Sequence, residues 1–340
     1  MPSISEQLIS EIHPELFHYT SEVGLSGILQ SQYLRATHWQ YLNDGEELVH
    51  LHETLISLIQ PDLLEHAKHA NQRAAHSEEF RTFLSSVGGI EGLSRTWSRQ
   101  IADLMRESLL QGNREEHIFD FFITSFCTPE HDYPGVREHG LLSQWRSYGR
   151  DGGYAIVFDT AKLEELMKTD ATLWSCRLGL GEVGYSSDPP DVLFQRLEAL
   201  PQLKIAAINF ATNPTEKSAS ELLNPFLDCS TRFKHWAFRE EREVRLVVTL
   251  NGPRMQQENA SAGVPFTERT RYSFDRSGTT VPCINLFEGI ETSGSLRLPI
   301  RRIIVGPGRS QLDQEDKLSK MLKKCGYSIP VTRSGIPLRF

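Results

Sequence analysis

The chain has 340 residues, 39% of them hydrophobic and 24% charged, with a formal net charge of −8. That length can bury a large core, and the composition is globular, which excludes a disordered chain. The acidic balance gives no bulk attraction to nucleic acid or to an anionic membrane, and no apolar run approaches the roughly 18 residues of a membrane span.

The opening MPSISEQLISEIHPEL carries acidic residues and no continuous apolar stretch, so a secretory leader is not expected. Cys127, Cys176, Cys229, Cys283 and Cys325 are widely spaced and form no Cys-x-x-Cys pair. Free thiols in a reducing cytoplasm are expected, not a disulfide framework or a zinc ribbon.

Residues 1–15 read as a short amphipathic helix, and Phe17-His18-Tyr19-Thr20 as a strand. Ser21 is placed to cap a helix over Val23 to Ser31, with Leu25, Ile28 and Leu29 on one face. Leu34 to Thr37 form a second strand, followed by a turn at Tyr41-Leu42-Asn43-Asp44-Gly45. From Glu46 to about Gln111 the spacing is helical, giving three or four helices punctuated by Pro61, Gly88-Gly89 and Gly112.

Histidines are dense in this region. Glu47 and His50 stand at i, i+3, and His66 and His69 share a face. A di-metal bundle needs a second such motif and two more glutamates, so solvated histidines are the default and no metal is expected.

Phe119 to Phe126 is a buried strand, and Cys127 to Gly140 a polar loop long enough for a lid. Next comes LLSQWRSYGRDGGYAIVFD, from Leu141 to Asp159. It gathers Trp145, Arg146, Tyr148, Arg150 and Tyr154 around glycines and ends in a strand. Aromatic rings beside guanidinium groups can stack on a heterocycle or hold an anion. The alternative is a turn beside a core tryptophan.

Thr160 to Thr169 is a helix, Arg177 to Ser186 a strand, and residues 191–233 are helical with a break at Pro214. Trp236 to Leu250 reads as a strand containing Glu240-Glu241-Arg242-Glu243-Val244-Arg245. Alternation would put Glu241, Glu243 and Arg245 on one side, either on a solvated edge or in a cleft that handles a proton or a sugar hydroxyl. Residues 251–280 are a loop or hairpin. Arg301 to Val305, the turn Gly306-Pro307-Gly308, a helix over Leu312 to Cys325 and a strand over Ile329 to Thr332 close the chain. Glycine amides with Arg309 can hold a phosphate there, but the Lys-Ser/Thr of a P-loop is missing and an ordinary turn is the default. The whole is expected to be one α+β domain over residues 1–340. It would carry a helical insertion at about 46–113 and a C-terminal β–α–β segment at about 296–340.

Taken in order, FHYTSEVGLSGILQSQYLRAT, YLNDGEEL, FFITSFC, LLSQWRSYGRDGGYAIVFD, FREEREVRLV, IIVGP and SGIPLR resemble a bacterial family of unknown function, DUF2971. The opening strand and Gly-Ile-Leu helix are also similar to those of the ADP-ribosyltransferase superfamily. That resemblance implies a mixed, mostly antiparallel central sheet and NAD as co-substrate. It also implies an ADP-ribosyltransferase or NAD glycohydrolase, with a nucleic-acid or protein acceptor, in phage defence or a toxin–antitoxin pair. His18 would hold the nicotinamide ribose, and Tyr148, Tyr154 or Tyr41 would stack on the ring. Glu241 or Glu243 would stabilise the oxocarbenium-like transition state. The binding set would further include Tyr19, Thr20, Asn43, Asp44, Trp145, Arg146 and Arg245. The long helical insertion and the lack of a Ser-Thr-Ser strand depart from that pattern.

The alternative is a sensor of a nucleotide or nucleic-acid end without turnover, in which Trp145, Arg146 and Arg245 matter most. A third reading is nucleic-acid processing with magnesium or manganese on Asp44, Glu47, Glu241 and Glu243, against which the acidic net charge argues mildly.

Overall fold

The computed structural model describes residues 8–42, 47–73, 77–111, 120–129, 135–149, 153–250, 266–290 and 297–337. In chain order the helices are α1 (Ile9–Ile12), α2 (Glu22–Ser31), α3 (Glu47–Arg73), α4 (Glu78–Ser86), α5 (Gly89–Gln111), α6 (Val136–His139), α7 (Leu142–Tyr148) and α8 (Thr160–Leu173). They continue with α9 (Pro190–Arg196), α10 (Leu200–Thr212), α11 (Glu216–Ser230) and α12 (Gln311–Lys324). The strands are β1 (Glu15–Thr20), β2 (Leu34–His38), β3 (Asp120–Cys127), β4 (Tyr154–Asp159), β5 (Arg177–Glu182) and β6 (Gly184–Tyr185). They continue with β7 (Phe233–Lys234), β8 (Glu243–Leu250), β9 (Tyr272–Arg276), β10 (Thr279–Leu286), β11 (Ile300–Val305) and β12 (Val331–Arg333). The chain is thus α+β. It divides into two compact units, one of residues 1–42, 119–182 and 239–340, the other of residues 43–118 and 183–238.

Among the described residues, the first unit holds a ten-stranded mixed sheet in which only β11 and β12 run parallel. β8 pairs with β3 along its whole length, from Asp120 opposite Leu250 to Cys127 opposite Glu243. The other edge of β3 is shared. β1 meets it at Phe17–Cys127, and β2 meets it at Thr37–Ile123 and His38–Phe122. The sheet forks there, with β4, β11 and β12 beyond β1, and β10 and β9 beyond β2.

Period-two alternation then sorts the side chains. One face carries Leu16, Phe122, Phe126, Tyr154, Ile156, Phe158, Val244, Leu246 and Val248 under Leu25 and Leu29 of α2, Leu163 of α8 and Leu318 of α12. The other carries Phe17, Tyr19, Cys127, Ala155 and Val157 under Val136 of α6 and Trp145 of α7. Ser21 caps α2 as its position predicts, its hydroxyl accepting from the Gly24 amide at 3.2 Å.

The second unit is mostly helical. Leu51, Leu55, Ile59, Leu63 and Ala67 form an i, i+4 stripe with no more than 1% exposure. That stripe carries α3 straight past Pro61, where the sequence suggested a break. Packing offsets the roughly 3 kcal/mol that an interior proline costs a helix. Gln60 of α3 donates to Ser94 and accepts from Ser98 of α5, at 2.8 and 2.6 Å. The break at Pro214 falls where expected, and Thr215 and Ser218 then form a capping box. Among the described residues, no helix is long and apolar enough to cross a membrane, and all five cysteines are free.

Candidate functional site

His18 lies toward the end of β1, half-buried, with its ring 5.8 Å from that of Phe126. Its Nδ1 donates to the carbonyl oxygen of Ser125 at 3.1 Å. The contact fills the fork, between the β1 and β2 ladders, where the edge of β3 has no strand partner. A second side chain helps there, since Thr124 Oγ1 donates to the Arg35 carbonyl at 3.0 Å. A main-chain carbonyl in a sheet must find a donor, and His18 supplies it. The bond fixes the neutral tautomer: Nδ1 carries the proton and Nε2 keeps its lone pair. Burial holds the imidazole pKa below its ordinary value, against a smaller opposing pull from the Ser125 bond.

The stretch from Leu141 to Asp159 differs from the ligand cradle its glycines suggested. Its first part is the helix α7, and Trp145 is fully buried, its Nε1 donating to the His139 carbonyl at 2.9 Å. The glycines make room for this ring. A Cβ at Gly140 would lie 2.7 Å from Trp145 Nε1, and one at Gly149 would lie 2.8 Å from Cε3. At Gly306 it would lie 2.9 Å from Cε3 and 2.8 Å from the Gly153 carbonyl oxygen. The close backbone approach is therefore to a core tryptophan. Tyr19 packs edge-on against it at 4.9 Å, its hydroxyl accepting from the Leu141 amide at 2.8 Å. Burial, then the neighbouring Cys127, push that phenol far above its usual range.

Tyr154 is buried on the opposite face of the sheet, its phenol pushed up to about 12, chiefly by burial and then by Glu22. Neither buried ring is an open stacking platform. Arg146 and Tyr148 instead stand on the exposed side of α7. Thr20 is half-buried against α2, where a Cβ at Gly24 would come within 2.1 Å of its Oγ1. Tyr41, in a short turn after β2, is half-buried, its carbonyl accepting from Arg276 at 2.9 Å. Asn43, Asp44 and Arg150 lie outside the described residues, as do residues 130–134 of the expected lid, while Val136–His139 form the helix α6.

The acidic run divides between two elements. Trp236–Glu241 form a 3-10 turn, not the start of the strand, and Arg242 follows with φ +42°. Of the three residues expected to alternate on one face, Glu243 and Arg245 do so within β8, and Glu241 precedes the strand. Arg245 Nε donates to Glu243 Oε1 at 2.8 Å, with both side chains 3% exposed. They sit opposite Cys127 and Ser125, on the Tyr19 and Trp145 face, whereas His18 projects from the other. Glu241 is partly exposed, and the turn at Arg242 frees its direction from that alternation. Sequence reasoning missed Ser125, because its role appears only where two distant strands part.

Residues 144–246 match the sequence model of a family described as a protein of unknown function, DUF2971. The match runs from Gln144 in α7 to Leu246 in β8 and takes in Trp145, Tyr154, Glu241, Glu243 and Arg245, but not His18. No curated protein and no solved structure matches the chain. The family description names no activity, and the likeness to ADP-ribosyltransferases has no counterpart among these findings.

Proposed function

We propose that the protein takes up a nucleotide-type ligand, NAD as co-substrate, at the His18 end of β1. Glu241 then serves as the carboxylate for breaking the nicotinamide–ribose bond. The observation that carries this reading is the His18–Ser125 bond. It presents a neutral imidazole with an oriented acceptor nitrogen, suited to a ribose hydroxyl. In this chemistry nicotinamide leaves with the bonding electron pair and positive charge builds on the ribose. A placed carboxylate stabilises that charge. Water, or a nucleic-acid or protein acceptor, then bonds to the ribose carbon and gives up a proton. The role falls to Glu241 because Glu243 is held by Arg245 on the other face.

That burial of Glu243 favours a second reading, in which the ligand is sensed and not turned over. The test is nicotinamide release from NAD by the wild-type protein, Glu241→Gln and Glu243→Gln, with candidate acceptors present. The enzyme reading expects release that drops by about 100-fold in Glu241→Gln, with NAD still bound. NAD bound without release by the wild-type protein would select the sensor. Neither binding nor release would overturn both.

A further inference from the structure

Away from His18, the first unit carries a cleft of about 500 Å³ lined by Arg137, Glu138, His139, Arg302, Thr332 and Arg333. It is built over Glu15, a residue only 4% exposed. Arg302 of β11 reaches that carboxylate with Nη1 at 2.6 Å and Nη2 at 3.3 Å, and Arg137 of α6 with Nε at 2.9 Å. Two guanidinium groups on one buried carboxylate leave an excess positive charge. Arg301 adds a more distant contact at 3.7 Å and is itself paired with Asp159. Arg333 pairs through Nε with Glu315 at 3.3 Å and keeps its half-exposed side chain in the cleft wall, and Glu138 is largely solvated.

The cationic groups are held in place. Arg302 Nη2 also donates to the Arg137 carbonyl at 2.9 Å, and its guanidinium lies 5.6 Å from the Phe17 ring centre. The His139 carbonyl accepts from Trp145 and, at 2.7 Å, from Ser334. Its Nδ1 accepts from the Gly335 amide at 3.2 Å, so in the neutral ring Nε2 carries the proton. Arg137 uses Nε for Glu15, and 65% of its side chain is exposed, which leaves the outer edge of a fixed guanidinium for a ligand. Planar guanidinium edges match phosphate oxygens two at a time.

We propose that this cleft binds a phosphate group carried by a small ligand, seated between the guanidinium groups of Arg137, Arg302 and Arg333. It is independent of NAD turnover and uses none of the residues assigned to it. The test uses the full chain and pyrophosphate, titrated by calorimetry and thermal melting at constant ionic strength, with acetate as the comparison anion. Pyrophosphate is expected to bind at one site per chain and to raise the melting temperature, with acetate far weaker. Arg137→Gln and Arg333→Gln should each weaken pyrophosphate by about tenfold or more, a loss near 1.4 kcal/mol. Arg333 does not touch Glu15, so its variant keeps the test valid should Arg137→Gln fold poorly. No pyrophosphate binding, equal response to acetate, or unchanged affinity in Arg333→Gln would overturn the proposal.

Discussion

The imidazole of His18 is the hydrogen-bond donor for Ser125, bridging the place where the β1 and β2 ladders leave the edge of β3. One side chain thus completes a sheet and presents a free ring nitrogen. His18→Ala removes the donor and leaves that carbonyl without its partner. The expected cost is about 1–3 kcal/mol in chemical denaturation. A variant with unchanged stability would show that the bond does not close the fork.

The same residue gives a pH signature. The folded-state pKa lies below the ordinary value of 6.5. In the window between the two values the unfolded chain binds more protons than the folded one. Stability therefore rises with pH there, is fully present above about pH 6.5, and falls on acidification toward the lowered folded value. The stability of wild-type protein relative to His18→Gln should rise with pH through that window and stay constant on either side of it. Curves that stay parallel would contradict the assignment.

The two glutamates are expected to behave differently. Glu243→Gln removes the buried carboxylate charge that Arg245 Nε holds at 2.8 Å, a loss of about 3–5 kcal/mol. Glu241→Gln, in a partly exposed turn, should cost about 1 kcal/mol or less. Denaturant midpoints of the two variants separate the structural carboxylate from the one assigned to chemistry. Equal losses would argue against that division.

Gly306 and Gly308 lie two residues apart in the turn after β11. A Cβ at Gly306 collides with Trp145 and the Gly153 carbonyl, whereas at Gly308 nothing lies within 4 Å. Gly306→Ala should destabilise by about 1–3 kcal/mol through overpacking, and Gly308→Ala by about 0.5 kcal/mol or less. Thermal melts of the pair decide it; similar behaviour would mean that the turn does not pack on Trp145.

Local signals were legible in the sequence. Ser21 as a cap, the apolar run of β3 and the Leu25–Leu29 face of α2 depend on neighbours a few residues away. The role of the glycines around Trp145 was not, because Gly140 and Gly306 meet that ring from distant parts of the chain. The split between Glu241 and Glu243 turned on one left-handed residue, Arg242, which the run of charges gave no reason to single out. The Glu15–Arg137–Arg302 cluster joins three elements far apart in sequence, and no spacing rule brings them together.

His18 is the residue proposed to meet the nucleotide. The most direct measurement is calorimetric titration of NAD into the wild-type protein and into His18→Gln. One binding event per chain in the first, lost or strongly weakened in the second while the variant remains folded, is the predicted result. No heat with the wild-type protein at millimolar NAD, or equal affinity in the variant, would contradict it.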